Sequence, residues 1–168
     1  MFLLLVRTAA LALLLSFTVT AERDVTCRQE VPAELIRDLW NRSQQLIKRL
    51  PREEKISRRL LPKFCTKCPE RMIGWLEMQE VMDVYQRSVF STEVIRKLLP
   101  LHYEDLLYRL QQTLQHCVSS SEPSRWFQLI KEVEKKIKRR RDKQALKAVR
   151  EFNYVLSWIS ELAQNHNQ

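Results

Sequence analysis

A single glycine, Gly74, stands in a chain of 168 residues, where average usage would place roughly a dozen. Hairpin turns, phosphate-cradling loops and dinucleotide fingerprints need glycine repeatedly, for positive φ angles or for close backbone approach. One glycine therefore argues against a P-loop hydrolase, a Rossmann enzyme and most small β-sandwiches. Apolar residues make up 45% of the chain and charged residues 29%, which suits neither a disordered chain nor a multi-span membrane protein. What remains is a basic, helical, single-domain protein.

Residues 1–21 stand apart from that domain. Phe2 to Leu15 is an apolar run interrupted only by Arg7 and Thr8, and Val19-Thr20-Ala21 offers small residues for a cleavage site. This is the layout of a secretory signal peptide, and the run is shorter than the roughly 20 residues a membrane span needs. The expectation is a secreted protein with one domain over residues 22–168.

In an oxidising compartment the even set of Cys27, Cys65, Cys68 and Cys117 reads as two disulfides, with three connectivities open. Cys65-x-x-Cys68-Pro69 ahead of a helix has the form of a redox dithiol, but it lacks the expected βαβ surroundings. A zinc site from Cys65, Cys68, His116 and Cys117 is disfavoured because adjacent side chains rarely converge on one ion. No cofactor is expected.

Apolar residues recur at helical spacing almost throughout. Leu35, Ile36, Leu39, Leu46, Ile47 and Leu50 follow Pro32, and Pro51 ends that helix. The stretch from Arg52 to Lys67 reads as short-helical or irregular, broken by Pro62. Met78, Val81, Met82, Tyr85 and Val89 mark a second helix, ending near Phe90. A third pattern starts near Ser91 and stops at Pro100, and a fourth runs from Tyr103 through Leu114 to Cys117. Trp126, Ile130, Val133 and Ile137 mark the fifth, and Asp142 is the expected N-cap of a wide-striped last helix. Trp40, Trp75, Trp126 and Trp158 lie on or beside apolar faces and read as core. The expected fold is all-α, a bundle of about six helices.

Charge is concentrated. Lys131, Lys135, Lys136, Lys138, Arg139, Arg140, Arg141, Lys143, Lys147 and Arg150 are opposed only by Glu132, Glu134 and Asp142, so one twenty-residue segment carries most of the formal net charge of +9. Helical projection sets Lys131, Lys135, Lys136, Lys138 and Arg139 opposite the Ile130/Val133/Ile137 stripe, as one solvent-facing patch. Packing so many like charges costs repulsion that interspersed acids would avoid. Lys131 to Lys143 therefore reads as a polyanion-binding segment for glycosaminoglycan, extracellular nucleic acid or anionic microbial surfaces. Lys135-Lys136-Ile137-Lys138 follows the basic-basic-x-basic spacing of heparin-binding segments. Asn41-Arg42-Ser43 is the one N-glycosylation sequon, and Asn41 projects away from the first helix's apolar stripe. His102, His116 and His166 are scattered, and no arrangement of nucleophile, base and acid is visible, so a binding protein is expected and not an enzyme.

These residues resemble the interleukin-10 family of class II helical cytokines. Lys147, Ala148, Glu151 and Phe152 are similar to the family's C-terminal Lys-Ala-x-x-Glu-[Leu/Phe] motif, and Leu156, Trp158 and Ile159 to the ending of several members. Arg109, Leu110, Leu114 and Cys117 follow the spacing at the end of the family's fourth helix. Leu50 to Glu53, Leu60-Leu61, Cys27-Arg28 and the Asn41 sequon look like stretches of individual members.

The resemblance implies a six-helix cytokine that cross-links a long-chain and a shared short-chain class II receptor and activates Janus kinases and STAT factors. It implies long-chain receptor contacts at Lys147, Arg150, Asn153 and Ser160; the family prefers acids at the last two positions. Shared-receptor contacts would fall at Asn41 and Arg42, with His102 on the fourth helix. The family's first bridge maps to Cys27–Cys117. For the second the chain departs from the pattern, having no Cys after Cys117, and a local Cys65–Cys68 pair is expected. Both a monomer and a homodimer fit. The alternative readings are a cationic effector acting without a receptor, or another member of the superfamily, interferon-like members included.

Overall fold

The computed structural model describes residues 31–52, 58–65, 73–118 and 124–164. The expected signal peptide, Cys27 and Cys68 lie outside them. Among the described residues the regular structure is entirely helical: α1 (Ala33–Arg49), α2 (Trp75–Tyr85), α3 (Glu93–Arg96), α4 (Tyr103–Cys117), α5 (Arg125–Arg139) and α6 (Arg141–Gln164). A π-helical turn, Gln86–Phe90, prolongs α2. None of these helices is long and apolar enough to cross a membrane.

Local chemistry sets the ends. Pro32 takes the N-cap of α1, with Glu34 in the first turn and Lys48 and Arg49 in the last, as the helix dipole favours. Ser124 caps α5 by accepting from the Trp126 amide at 3.3 Å, and Glu77 of α2 accepts from the Ser124 hydroxyl in turn. The lone glycine caps α2 in extended conformation. Its amide donates to Glu77 Oε2 at 3.0 Å, and an added Cβ would sit 3.1 Å from that oxygen. Gly74 is thus placed by close approach to a carboxylate and not by positive φ. Among the described residues the one that does adopt positive φ is His102, at 62°.

Asp142 is not the N-cap of α6. Arg140 alone separates α5 from α6, and its carbonyl accepts from the Gln144 amide at 2.9 Å, which leaves Asp142 inside the first turn.

The long helix α6 is the axis of the molecule, packing against α1, α2, the π turn, α3 and α5, while α4 packs on α1 and α2. Ala145, Ala148, Val149, Phe152, Val155, Leu156 and Ile159 are fully enclosed. Phe152 packs against Tyr85 and Phe90 at ring separations of 4.9 and 5.2 Å, and Phe90 meets Tyr103 at 5.5 Å. The Tyr85 hydroxyl donates to the Ala148 carbonyl at 2.9 Å, and Tyr103 shares a 2.7 Å hydrogen bond with buried Ser43 of α1. Burial pushes both phenols above their ordinary pKa. Of the tryptophans, Trp75 and Trp158 are buried and Trp126 is half-buried, but Trp40 is exposed on the flank of α1.

Cys65 is disulfide-bonded. Cys117 is buried, and Cys27, its partner in the bridge that the resemblance implies, lies outside the described residues. It sits in the inner stripe of α4 with Leu110 and Leu114.

Candidate functional site

The segment between α1 and α2 has no regular structure over residues 58–65, yet it is firmly held by α6. Leu60 and Leu61 are buried, so their amides need acceptors. The Glu151 carboxylate provides them: Leu60 N donates to Oε1 and Oε2 at 2.8 and 3.1 Å, and Leu61 N donates to Oε2 at 2.8 Å. The preceding residue, Arg150, donates to the Pro51 carbonyl at the segment's start and to Leu146 O at 3.3 Å. Phe64 meets Trp158 and Trp126 edge-on at 4.9 and 5.3 Å. The Arg59 guanidinium lies over the Tyr154 ring at 3.9 Å and 5.7 Å from the Trp158 ring.

The C-terminal motif is therefore mostly interior. Ala148, Val149, Glu151 and Phe152 are buried, which leaves Lys147 and Arg150 at the surface. The other two expected contacts on α6 differ from these. Asn153 has its side-chain oxygen buried without a hydrogen-bond partner. Ser160 is half-buried and accepts from Gln164 Nε2 at 3.1 Å. Arg59 and Tyr154 complete this surface and were not expected from sequence. Arg59 lies where no periodicity marks a face, and Tyr154 is distinguished only by its place one turn beyond Arg150.

A second cluster forms where α1 meets the corner before α4. Arg42 donates to the Leu101 carbonyl at 2.6 Å and Arg49 to the Leu98 carbonyl at 3.0 Å. Leu101 is 76% exposed, and His102 next to it lies 3.4 Å from Asp105. The structure thus brings Arg42 and His102 to one corner. Asn41, next to Arg42 in sequence, is exposed, but the sequon's Ser43 is fully buried against Tyr103. An open cleft of about 580 Å³ borders the corner, lined among others by Glu93, Lys97, His102 and Asp105.

The basic segment divides. Lys131 does not join a free patch: it pairs with Glu80 of α2 at 2.6 Å. Lys138 pairs with Glu134 at 2.9 Å. Glu134 is itself buried, gripped by Arg87 of the π turn at 2.7 and 2.9 Å and by the Ser88 hydroxyl at 3.1 Å. The Arg87 guanidinium holds the Glu134 carboxyl down at about 2, against the opposing effect of burial. Glu134 was legible as more than a counter-charge, since it falls one turn from both Ile130 and Ile137. Lys135, Lys136, Arg139, Arg140, Arg141 and Lys143 are all exposed and form no ion pair with a described residue.

No family model matches the chain, and no solved structure does. The chain is similar to human interleukin-26, 24% identical over 150 residues that span 89% of this chain and 84% of that protein, and is a distant homologue of it.

Proposed function

We propose that the chain is a secreted cytokine of the interleukin-10 type, which binds a long-chain and a shared short-chain class II receptor and so triggers Janus kinase and STAT signalling. The similarity to human interleukin-26 across 89% of the chain carries this reading. The all-helical bundle fits it, and so does a loop–helix surface with Lys147 and Arg150 outward and the rest of the motif inward. Asn41, Arg42 and His102 would meet the shared receptor at the α1–α4 corner, and a glycan on exposed Asn41 would border that contact. The test is binding of the purified protein to a panel of class II receptor ectodomains. One long-chain and one short-chain partner should bind, and cells carrying both should phosphorylate STAT. Binding to none would overturn the reading.

The run of exposed cations around the α5–α6 turn favours a second activity, binding of glycosaminoglycan or extracellular nucleic acid. Replacing Lys135, Lys136, Lys138, Arg139 and Arg140 by Gln should cut heparin retention and flatten its salt dependence, because fewer counterions are released. Unchanged retention would refute polyanion binding while leaving the receptor reading intact.

A further inference from the structure

Tyr154 is 46% exposed, one of few large hydrophobic side chains on the described surface. An isolated exposed tyrosine needs no explanation, but this one is covered by a guanidinium. The Arg59 guanidinium carbon lies over its ring at 3.9 Å and 5.7 Å from the Trp158 ring. The segment carrying Arg59 cannot drift, since the next two amides are held by Glu151 and Phe64 is wedged between two tryptophans. Helical projection places Lys147, Arg150 and Tyr154 of α6 within an arc of about 60° on the side facing this segment. The result is a fixed platform of Arg, Tyr and Trp edged by cations.

Arginine, tyrosine and tryptophan are the residue types that dominate binding energy at protein interfaces. A stacked guanidinium keeps its edge free to take a carboxylate in two parallel hydrogen bonds, and its ordering cost is largely met before binding. Glu151, the nearest acid on α6, is turned inward to the Leu60 and Leu61 amides; Glu161 lies nearly three turns further on. The platform's charge is therefore complementary to an acidic patch. A polyanion would gain little here, since it needs a row of solvated cations and no aromatic floor, which is what Lys135 to Lys143 present.

We propose that Arg59, stacked on Tyr154, is the specificity-determining anchor through which this surface takes an acidic patch of a receptor ectodomain. The inference rests on the cytokine reading above and names a contact that the sequence motif does not contain.

The test uses the full mature chain against the same panel of class II receptor ectodomains, with heparin as a parallel probe. Arg59→Lys keeps the charge but loses the planar stack, and Tyr154→Ala removes the floor. Each should weaken binding at least about tenfold, chiefly through faster dissociation. Tyr154→Phe, which keeps the ring, should stay within about threefold of wild type, and heparin retention should not change. Amide exchange at Leu60 and Leu61 should match wild type in all three variants. Loss of that protection together with binding would make Arg59 a structural residue and overturn the proposal. So would wild-type affinity in Arg59→Lys and Tyr154→Ala while Lys147→Ala and Arg150→Ala abolish binding; that outcome spares the cytokine reading. A fall in heparin retention with receptor binding intact would assign the platform to polyanions instead. If the wild-type chain bound no ectodomain, the cytokine reading would fail first, and the anchor with it.

Discussion

Glu134 on α5 and Glu151 on α6 are both buried, at 7% and 8% exposure, and their partners could hardly differ more. Glu134 is surrounded by side chains: the charged Arg87 and Lys138 and the neutral Ser88 hydroxyl. Glu151 instead receives two backbone amides from a segment without regular structure. The first carboxylate ties α5 to the π turn and engages one cation of the basic segment, Lys138. The second ties a loop to a helix, satisfies the loop's own backbone and leaves Arg59, Lys147 and Arg150 facing outward. Of two similar buried acids, one removes charge from the surface and the other builds a surface that displays it.

Breaking the second tie should have the largest effect. Glu151→Ala strands two buried N–H groups, each costing about 1–3 kcal/mol, so a loss of about 3 kcal/mol is expected in denaturant unfolding. Amide exchange at Leu60 and Leu61 should accelerate in step, while α4 amides far from the segment respond only through global stability. Glu151→Gln, which keeps one good acceptor, should cost roughly half as much. If Glu151→Ala unfolds like wild type, the loop is held by its apolar side chains alone and the comparison collapses.

The first tie should respond to acid. The folded Glu134 carboxyl lies at about 2, against an ordinary value of 4.5. A depressed folded value means stability that is fully present above about pH 4.5 and lost as pH falls toward 2. Because Arg87 is 42% exposed and solvent screens the pair, the expected loss is about 1–2 kcal/mol. Thermal melts across pH 2–6 (on the order of half-unit steps) should show this sag in wild type and a flatter profile in Glu134→Gln. An identical profile in the two proteins would mean that Arg87 does not stabilise the ionised carboxylate.

The helices were legible because burying one face repeats every three or four residues, and Leu35 to Leu46, Met78 to Val89 and Tyr103 to Cys117 carry that spacing openly. The all-helical class followed from the same pattern and from the missing glycines. What the pattern could not carry was anything contributed by a neighbouring helix. Projection on α5 alone counted Lys131 as solvated, because its partner Glu80 reaches it from α2, and it counted Lys138 in the patch without its pair to Glu134 one turn back. Asp142 was misplaced as a cap because a one-residue turn leaves no composition signal. Arg59 was invisible for a related reason: its partner rings lie on α6, some 95 or more residues on (Tyr154, Trp158). The motif's spacing marked Lys147 and Arg150 as positions outside the buried face of α6, but it carried no sign that the side-chain oxygen of Asn153 is buried.

The smallest expected effects separate the cations themselves. Lys131 is paired with Glu80, whose side chain is only 11% exposed, so Lys131→Met should cost about 0.5–1 kcal/mol. Lys135 and Lys136 face solvent with like charges around them, and Lys135→Gln or Lys136→Gln should shift stability by less than about 0.5 kcal/mol, in the stabilising direction if repulsion is felt. Heparin retention should rank the other way, with Lys135→Gln and Lys136→Gln eluting earlier than Lys131→Met. A lysine engaged by a nearly buried carboxylate releases few counterions when a polyanion binds, whereas a solvated lysine releases its full share. Denaturant unfolding and salt elution measured on the same three variants read the two rankings directly. Matching rankings would mean that Glu80 and Glu134 do not sort the segment, and that all its cations act as one patch.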